Sequence, residues 1–482
     1  MRFLLLALLA LASVAPSAQP AAPDWDTRPA LAAPPAFTPP AVERHALSNG
    51  LPVLFVEKPG VPLAQIDLLV RAGSADDGDQ GGLASVTADL MDEGAGDLDA
   101  LALADAIDFL GIDLGVGAGL HSLSVRLHTP LSKLDAALAL MADVALRPTF
   151  PEADIERVRT SRLTALAQRR DEARSIAGVA LARAVYGDDH PYGRLGTGEP
   201  ATVGALTRDD LIAFHSRSVV PARSALVVVG ATTWEEMRPR LEAAFGEAVW
   251  PATGVAPAAA GLSAVPIPAQ VGPRAITFVD KPGAAQSVVR IGRVGAPRST
   301  PDFYALEVLN TILGGSFTSR LNQNLREDKG YSYGARSVFE YRPVAGPFIA
   351  FADVQTDVTA PALTEFFREL DAIGAPVPAD ELAKARENRA LSFPAPFATV
   401  RGTAAMVGDA WLDGLGDDAY AQYASGVRAV TAADLARVAA EYVDPERMAV
   451  VVVGDWSVVG ESVEALGLGP VTVLSVEDVL GE

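Results

Sequence analysis

A stretch of 24 residues occurs twice in this chain. TRDDLIAFHSRSVVPARSALVVVG, at positions 207–230, overlays TAADLARVAAEYVDPERMAVVVVG, at 431–454, without a gap and with 11 identical positions. The identities include Asp210/Asp434, Leu211/Leu435, Pro221/Pro445, Arg223/Arg447 and the closing VVVG. A second echo, FVEKPG at 55–60 and FVDKPG at 278–283, lies at the other end of the interval. The offsets, 224 and 223 residues, differ by one, so the repeat is one long unit and not a short solenoid module. At 482 residues the chain suits two to four domains. Duplication reduces this to two similar halves of roughly 200 residues, each large enough for its own core.

Boundaries follow from composition. MRFLLLALLALASVAPSAQPAAP has one Arg, an apolar run from Phe3 to about Ala12 and then small residues. That is the pattern of a secretory signal peptide cleaved between Ala15 and Ala22, and the run is short for a bilayer span. Residues 1–22 are therefore read as signal peptide and 23–41 as an extended Pro/Ala-rich segment. Residues 42–250 form the first domain, 251–273 (PATGVAPAAAGLSAVPIPAQVGP) the linker and 274–482 the second domain. The expectation is a periplasmic or secreted protein without stable membrane insertion. It has no cysteine, so neither disulfides nor thiol chemistry enter, and stability rests on burial. A net charge of −21 argues against nucleic acid as a partner.

Within the first half, LPVLFVE and QIDLLVRAGSA read as strands and GGLASVTADLMDEG as a helix. LHSLSVRLHTP then reads as a strand, LSKLDAALALMADVAL and DIERVRTSRLTALAQRRDEARSIAGVALARAVYG as helices, and SALVVVGA as the closing strand. The second half repeats this order. The fold class is α+β: two homologous duplicated domains, each a mostly antiparallel sheet with helices on one side.

Several stretches imitate motifs. GVGAG at 115–119 is followed by the alternation of a strand, whereas a dinucleotide-binding loop opens a helix, so it reads as a tight or irregular edge. GGS at 314–316 lacks the Lys and Ser/Thr of a phosphate loop, and no G-x-S-x-G elbow occurs. His45, His121, His128, His190 and His215 have no His partner at i+3 or i+4 and read as structural; His121 and His128 are placed on opposite faces of one strand.

The order of elements, with AGSADDGDQGGLASVTADLMDEG in the first half and GGSFTSRLNQNLREDKGYSYGARS in the second, resembles the pitrilysin/insulysin family of zinc metallopeptidases, which carry an inverted His-x-x-Glu-His motif. The resemblance spans essentially the whole mature chain and implies a LuxS/MPP-like metallopeptidase fold. In that family the metal helix begins Gly-Leu-Ala-His. Here, after Gly82, Leu83 and Ala84, the resemblance sets Ser85 at the first His, Ala88 at the Glu, Asp89 at the second His and Ala165 at the third ligand. The apolar stripe Leu83, Val86, Leu90 and Met91 is retained, so the helix is kept without its chemistry. Zinc needs three protein ligands and a general base, which these residues do not supply. Ser85, Asp89 and Asp92 share a face, but lone helical carboxylates are ordinarily solvated and do not hold a hard cation.

Arg326 and Tyr333, in REDKGYSY, match by separation the pair that the resemblance assigns to substrate handling. A guanidinium fork and a phenol both donate to a peptide carbonyl and to the oxyanion it becomes. The competing reading gives Arg326 to the helix dipole and Tyr331 and Tyr333 to the core face of a strand. Some family members divide the work between a chain with the zinc motif and a chain with the Arg/Tyr pair. The expectation is the second type: a non-catalytic, substrate-binding subunit of an exported heterodimeric zinc peptidase. It would be inactive alone and hold no metal, with zinc in a homologous partner subunit and peptides as substrates. The alternative is a structural or assembly subunit with no role in proteolysis. An independently active peptidase would need ligands the chain does not contain.

Overall fold

The repeated VVVG segments become the central strands of two six-stranded sheets. In the computed structural model, which describes residues 37–252, 265–416 and 418–481, the first half contains β1 (Glu43–Ala46), β2 (Pro52–Glu57), β3 (Leu63–Val70), a two-stranded ribbon of β4 (Gly94–Ala95) and β5 (Leu98–Asp99), then β6 (Asp113–Ala118), β7 (Leu123–Pro130) and β8 (Ser224–Gly230). The second half contains β9 (Ala275–Asp280), β10 (Gln286–Val294), β11 (Ser332–Phe339), β12 (Pro347–Gln355), β13 (Ala449–Gly454) and β14 (Val471–Leu474). The expected signal peptide, most of the Pro/Ala-rich segment and the middle of the linker lie outside the described residues.

The sheets run β1-β2-β8-β3-β7-β6 and β14-β9-β13-β10-β12-β11. In each, the VVVG strand is parallel to the strand of the FV(E/D)KPG stretch and antiparallel to the next strand in sequence. The duplication therefore maps strand onto strand, with β6 and β11 as equivalent edges. The other edges differ, because β1 pairs antiparallel and β14 parallel.

The repeated residues have repeated tasks. Thr207 and Thr431 each begin a helix by donating from Oγ1 to the Asp three residues on, 2.6 Å in both halves, while that Asp accepts the Thr N–H at 2.8 Å. The Asp N–H donates back to the Thr Oγ1, at 3.3 and 3.2 Å, and this reciprocal pairing satisfies donors a helix start otherwise leaves orphaned. Phe55 and Phe278 are buried, and each meets an indole edge-on, Trp234 and Trp456 respectively.

All seven residues of β8 and all six of β13 are buried, so both sheets are apolar on two faces. Helices of the same half cover one face, among them Leu83–Met91 and Leu134–Leu146 in the first half and Phe303–Leu313 and Thr359–Ala372 in the second. The other face is covered by exchange. Helix Ala173–Tyr186 of the first half lies on β10 and β13, burying Ile176, Ala180 and Leu181 against Val451 and Val453. Helix Val400–Leu412 of the second half lies on β3 and β8, with Ala404 and Val407 against Leu69, Val227 and Val229. That helix comes so close that a Cβ on Gly408 would stand 2.7 Å from Leu69 Cδ1. The one-sided sheets expected from sequence are thus two-sided, and from Thr38 onward the chain is one compact unit.

Two local expectations change. β7 begins at Leu123, so His121 sits in the preceding turn, 2.7 Å from Tyr192 Oη, and not on a strand with His128. GVGAG lies on an edge strand that ends in a tight turn, Gly119 N–H to Ser122 O at 2.7 Å, but the edge is regular, since β6 pairs with β7 in unbroken register from Asp113 to Ala118.

Candidate functional site

Helix Leu83–Met91 is anchored from upstream by Asp77, whose carboxylate accepts the Gly82 N–H at 2.9 Å and the Ala84 N–H at 2.8 Å. Burial pushes Asp77 up to about 7 against those donors. Along the helix Ser85 is half-buried, Ala88 is buried and Asp89 is exposed; Ala165 is exposed on helix Glu152–Gln168, which packs against it. Between the two helices stands Arg162, one turn before Ala165. Its guanidinium engages the Asp89 carboxylate and also reaches Thr197 O at 3.5 Å. The positions set by resemblance therefore present a hydroxyl, two methyl groups and one carboxylate already held by a cation, a donor set that does not fit zinc. Asp92 is raised to about 6 by burial, reinforced by Glu93 and Asp89. Among the described residues no three His, Cys, Asp or Glu side chains are grouped to hold a metal.

The second half brings its two site residues together. Arg326 lies in a π-helical stretch, Gln323–Asp328, that widens the end of the helix begun by Arg320–Asn322. Such widened turns re-aim side chains. The Arg326 guanidinium lies 4.6 Å from the centre of the Phe317 ring, and its Nε is 3.4 Å from Glu327. Tyr333 follows where the β11/β12 ladder slips between Ser332 and Ala335, a bulge closed by Ser332 Oγ, which accepts the Gly334 N–H at 3.0 Å and donates to Gly334 O at 2.8 Å. Bulges of this kind turn a side chain off the regular alternation. The Tyr333 side chain is 92% exposed, whereas Tyr331 packs partly buried on the core. The core-face reading thus holds for Tyr331 and fails for Tyr333.

Arg326 and Tyr333 line one groove of about 560 Å³. Two residues that sequence reasoning passed over hold it in shape. Asn322 donates from Nδ2 to Phe317 O at 2.7 Å and accepts the Ala335 N–H on Oδ1 at 3.2 Å, tying the loop under Arg326 to the strand behind Tyr333. Gly314 lets that loop lie on β11, since a Cβ there would stand 2.1 Å from the Ser337 nitrogen. The signal for both was the Gly-Gly pair and the Asn inside the GGSFTSRLN block. Arg162 had only its i, i+3 relation to Ala165.

Comparison with known proteins places the fold. A model of the peptidase M16 inactive domain matches residues 205–389. An uncharacterized zinc protease of Mycobacterium leprae is 31% identical over 310 residues, covering 64% of this chain and 68% of that protein. An uncharacterized zinc protease of Mycobacterium tuberculosis is 29% identical over 313 residues, 65% of this chain and 70% of its own. Among solved structures, a peptidase M16 inactive domain from Pseudomonas fluorescens superposes with a TM-score of 0.78 at 23% identity, covering 86% of this chain and 98% of that one. A protease from Helicobacter pylori superposes with a TM-score of 0.77 at 21% identity, covering 86% and 99%.

Proposed function

The chain belongs to the M16 family of zinc peptidases, and within it we propose that this protein is the non-catalytic, substrate-binding subunit of an exported two-chain peptidase. The observation that carries the reading is the contrast between its sites: Arg326 and Tyr333 converge on one groove, while Ser85, Ala88, Asp89 and Ala165 offer no metal set. The zinc motif then belongs to a homologous partner, and peptides lie between the two chains. Arg326 fixes a substrate carbonyl with its planar fork, and Tyr333 donates its hydroxyl to the oxyanion that forms when that carbonyl is attacked. An exposed phenol suits this task, because it meets a ligand without first breaking core contacts.

The test is reconstitution. This chain, mixed with a homologous chain that carries His-x-x-Glu-His, is expected to yield peptidase activity that neither shows alone, since each lacks groups the other supplies. Full activity from the partner by itself would make this chain a structural or assembly subunit instead. Export is part of the reading, and the mature N terminus sequenced from a periplasmic or medium fraction should fall between residues 15 and 22.

A further inference from the structure

The whole chain carries a net charge of −21, yet the groove of Arg326 and Tyr333 is basic. Three arginines line it, Arg290, Arg326 and Arg336, against one carboxylate, Glu340, which already accepts from Arg342 Nη2 at 2.9 Å. Another cavity, about 690 Å³ where the loop at 120–122 meets the second half, is balanced: Arg298, Arg342 and Arg389 stand with Glu307, Asp409 and Asp413.

The register explains the asymmetry. Arg336 on β11 and Arg290 on β10 both oppose Phe351 on β12, so the three side chains form one rung on one face of the sheet, with the guanidinium of Arg290 5.6 Å from the centre of the Phe351 ring. Arg290 is mostly buried. Among the described residues it reaches only Arg174 O, at 3.3 Å, and its Nε has no acceptor. The neighbouring carboxylate, Asp353, is taken by Arg174. Among the described residues no carboxylate lies within ion-pair distance of Arg290 or Arg336. A guanidinium held from water with donors unspent gains from an anion far more than a solvated one does.

We infer that this groove selects acidic peptide segments, with substrate Glu or Asp side chains pairing with Arg336 and Arg290 while Arg326 is left for a backbone carbonyl. The inference rests on the reading of the groove as a peptide holder and adds its chemical preference.

Binding to the isolated full chain tests it, without a partner or turnover. Three labelled, C-terminally amidated peptides of equal length and equal apolar content would carry Glu, Ser or Lys at the remaining positions, and fluorescence anisotropy would report affinity. The Glu peptide is expected to bind about tenfold more tightly than the Ser peptide, and the Lys peptide more weakly still, with the spread shrinking as salt rises. Arg336→Glu, at an exposed position, should bring the Glu and Lys peptides to equal affinity or reverse them while leaving the melting temperature unchanged. Equal affinity of all three for the wild-type chain, or an order unaltered by Arg336→Glu, would overturn the inference and leave the peptide-holding reading standing. Binding of none would overturn both.

Discussion

The two edge strands β6 and β11 occupy equivalent places in equivalent sheets, and they have been treated oppositely. β6 is regular, paired residue for residue with β7, and the helix packed beside it carries Ser85, Ala88 and Asp89, the positions to which the sequence resemblance assigns the family's metal chemistry. β11 is bulged, reached through a π-helical turn and a Gly-Gly loop, and it presents Tyr333 beside Arg326. The cores under both edges are equally complete: Leu83, Leu90 and Met91 on one side and Leu306, Leu309 and Leu313 on the other are fully buried. Fold and chemistry are therefore carried by different residues. Burial maintains the fold through many small contributions, while a site rests on a few irregular positions that burial does not protect.

If the two halves share one folding logic, equivalent core deletions should cost alike. Phe55→Ala and Phe278→Ala each remove a buried ring packed edge-on against an indole. Each is expected to destabilise by about 3–5 kcal/mol, with denaturant midpoints shifted by similar amounts. A difference of more than about 2 kcal/mol between them would show that the halves no longer depend on their cores equally.

The sharpest asymmetry should lie at the edges. Tyr333→Phe removes one exposed hydroxyl and keeps the ring, so the melting temperature should stay at the wild-type value. Turnover of the assembled complex should fall roughly 100-fold, about 3 kcal/mol at the transition state. Arg326→Lys should also lower turnover, because a point charge does not reproduce the fork. A structural role would reverse the pattern, with stability lost and turnover per assembled complex unchanged.

How far this contrast could be read in the sequence depended on the range of the interactions that write it. The duplication and the VVVG strands are local patterns, and each stands where its pattern set it. Arg326 and Tyr333 were found by separation, which matches the pair that the resemblance assigns to substrate handling. What could not be read was which surface a buried stripe would meet. Ile176, Ala180 and Leu181 announce a buried helix face, but nothing near them says that it covers β10 and β13 of the other half. The partnership of Arg162 with Asp89, 73 residues apart, is invisible for the same reason. The bulge at Tyr333 is closed locally by Ser332 and Gly334, but its place beside Arg326 rests on Asn322 accepting the Ala335 N–H, 13 residues on, a bond the local sequence does not announce.

The helices Leu83–Met91 and Phe303–Leu313 are matched elements whose leading carboxylates are shifted in opposite directions, and pH should separate them. Asp77 is raised by burial to about 7. Its folded value exceeds the unfolded one, so the folded chain keeps a proton that the unfolded chain releases, and stability should fall as pH climbs from about 4 to about 7. Asp302 is lowered, chiefly by Arg437 and then by Tyr442, whose hydroxyl donates to Oδ2 at 3.1 Å. Its contribution is present above the unfolded value near 4 and is lost as pH falls through the folded value. Asp77→Asn, which keeps an acceptor for the helix start, is therefore expected to stabilise at pH 8 by on the order of 1 kcal/mol and to flatten the slope between 4 and 7. Asp302→Asn should destabilise at pH 8 and match wild type in strong acid. Parallel pH–stability curves for the two variants would break the comparison.

The smallest effect expected is also the one that most directly asks what joins the two helices of the first half. The resemblance sets zinc-ligand positions on two helices, at Ser85 and Asp89 on one and Ala165 on the other, and here Arg162 and Asp89 join those helices by an ion pair. If the pair substitutes mechanically for the metal, its coupling should be large; if the first half simply lost its chemistry and kept its core, the coupling should be small. The second outcome is expected. Asp89 is 44% exposed, so solvent screens the attraction and holding two side chains in one geometry costs entropy. A double-mutant cycle with Arg162→Met and Asp89→Ala should return a coupling of about 0.5 kcal/mol, shrinking further with salt. The Phe55→Ala loss measured beside it would then be several times larger, assigning the first half's cohesion to its core. A coupling above about 2 kcal/mol, persisting at high salt, would instead mean that this ion pair, and not the core alone, holds the two helices together.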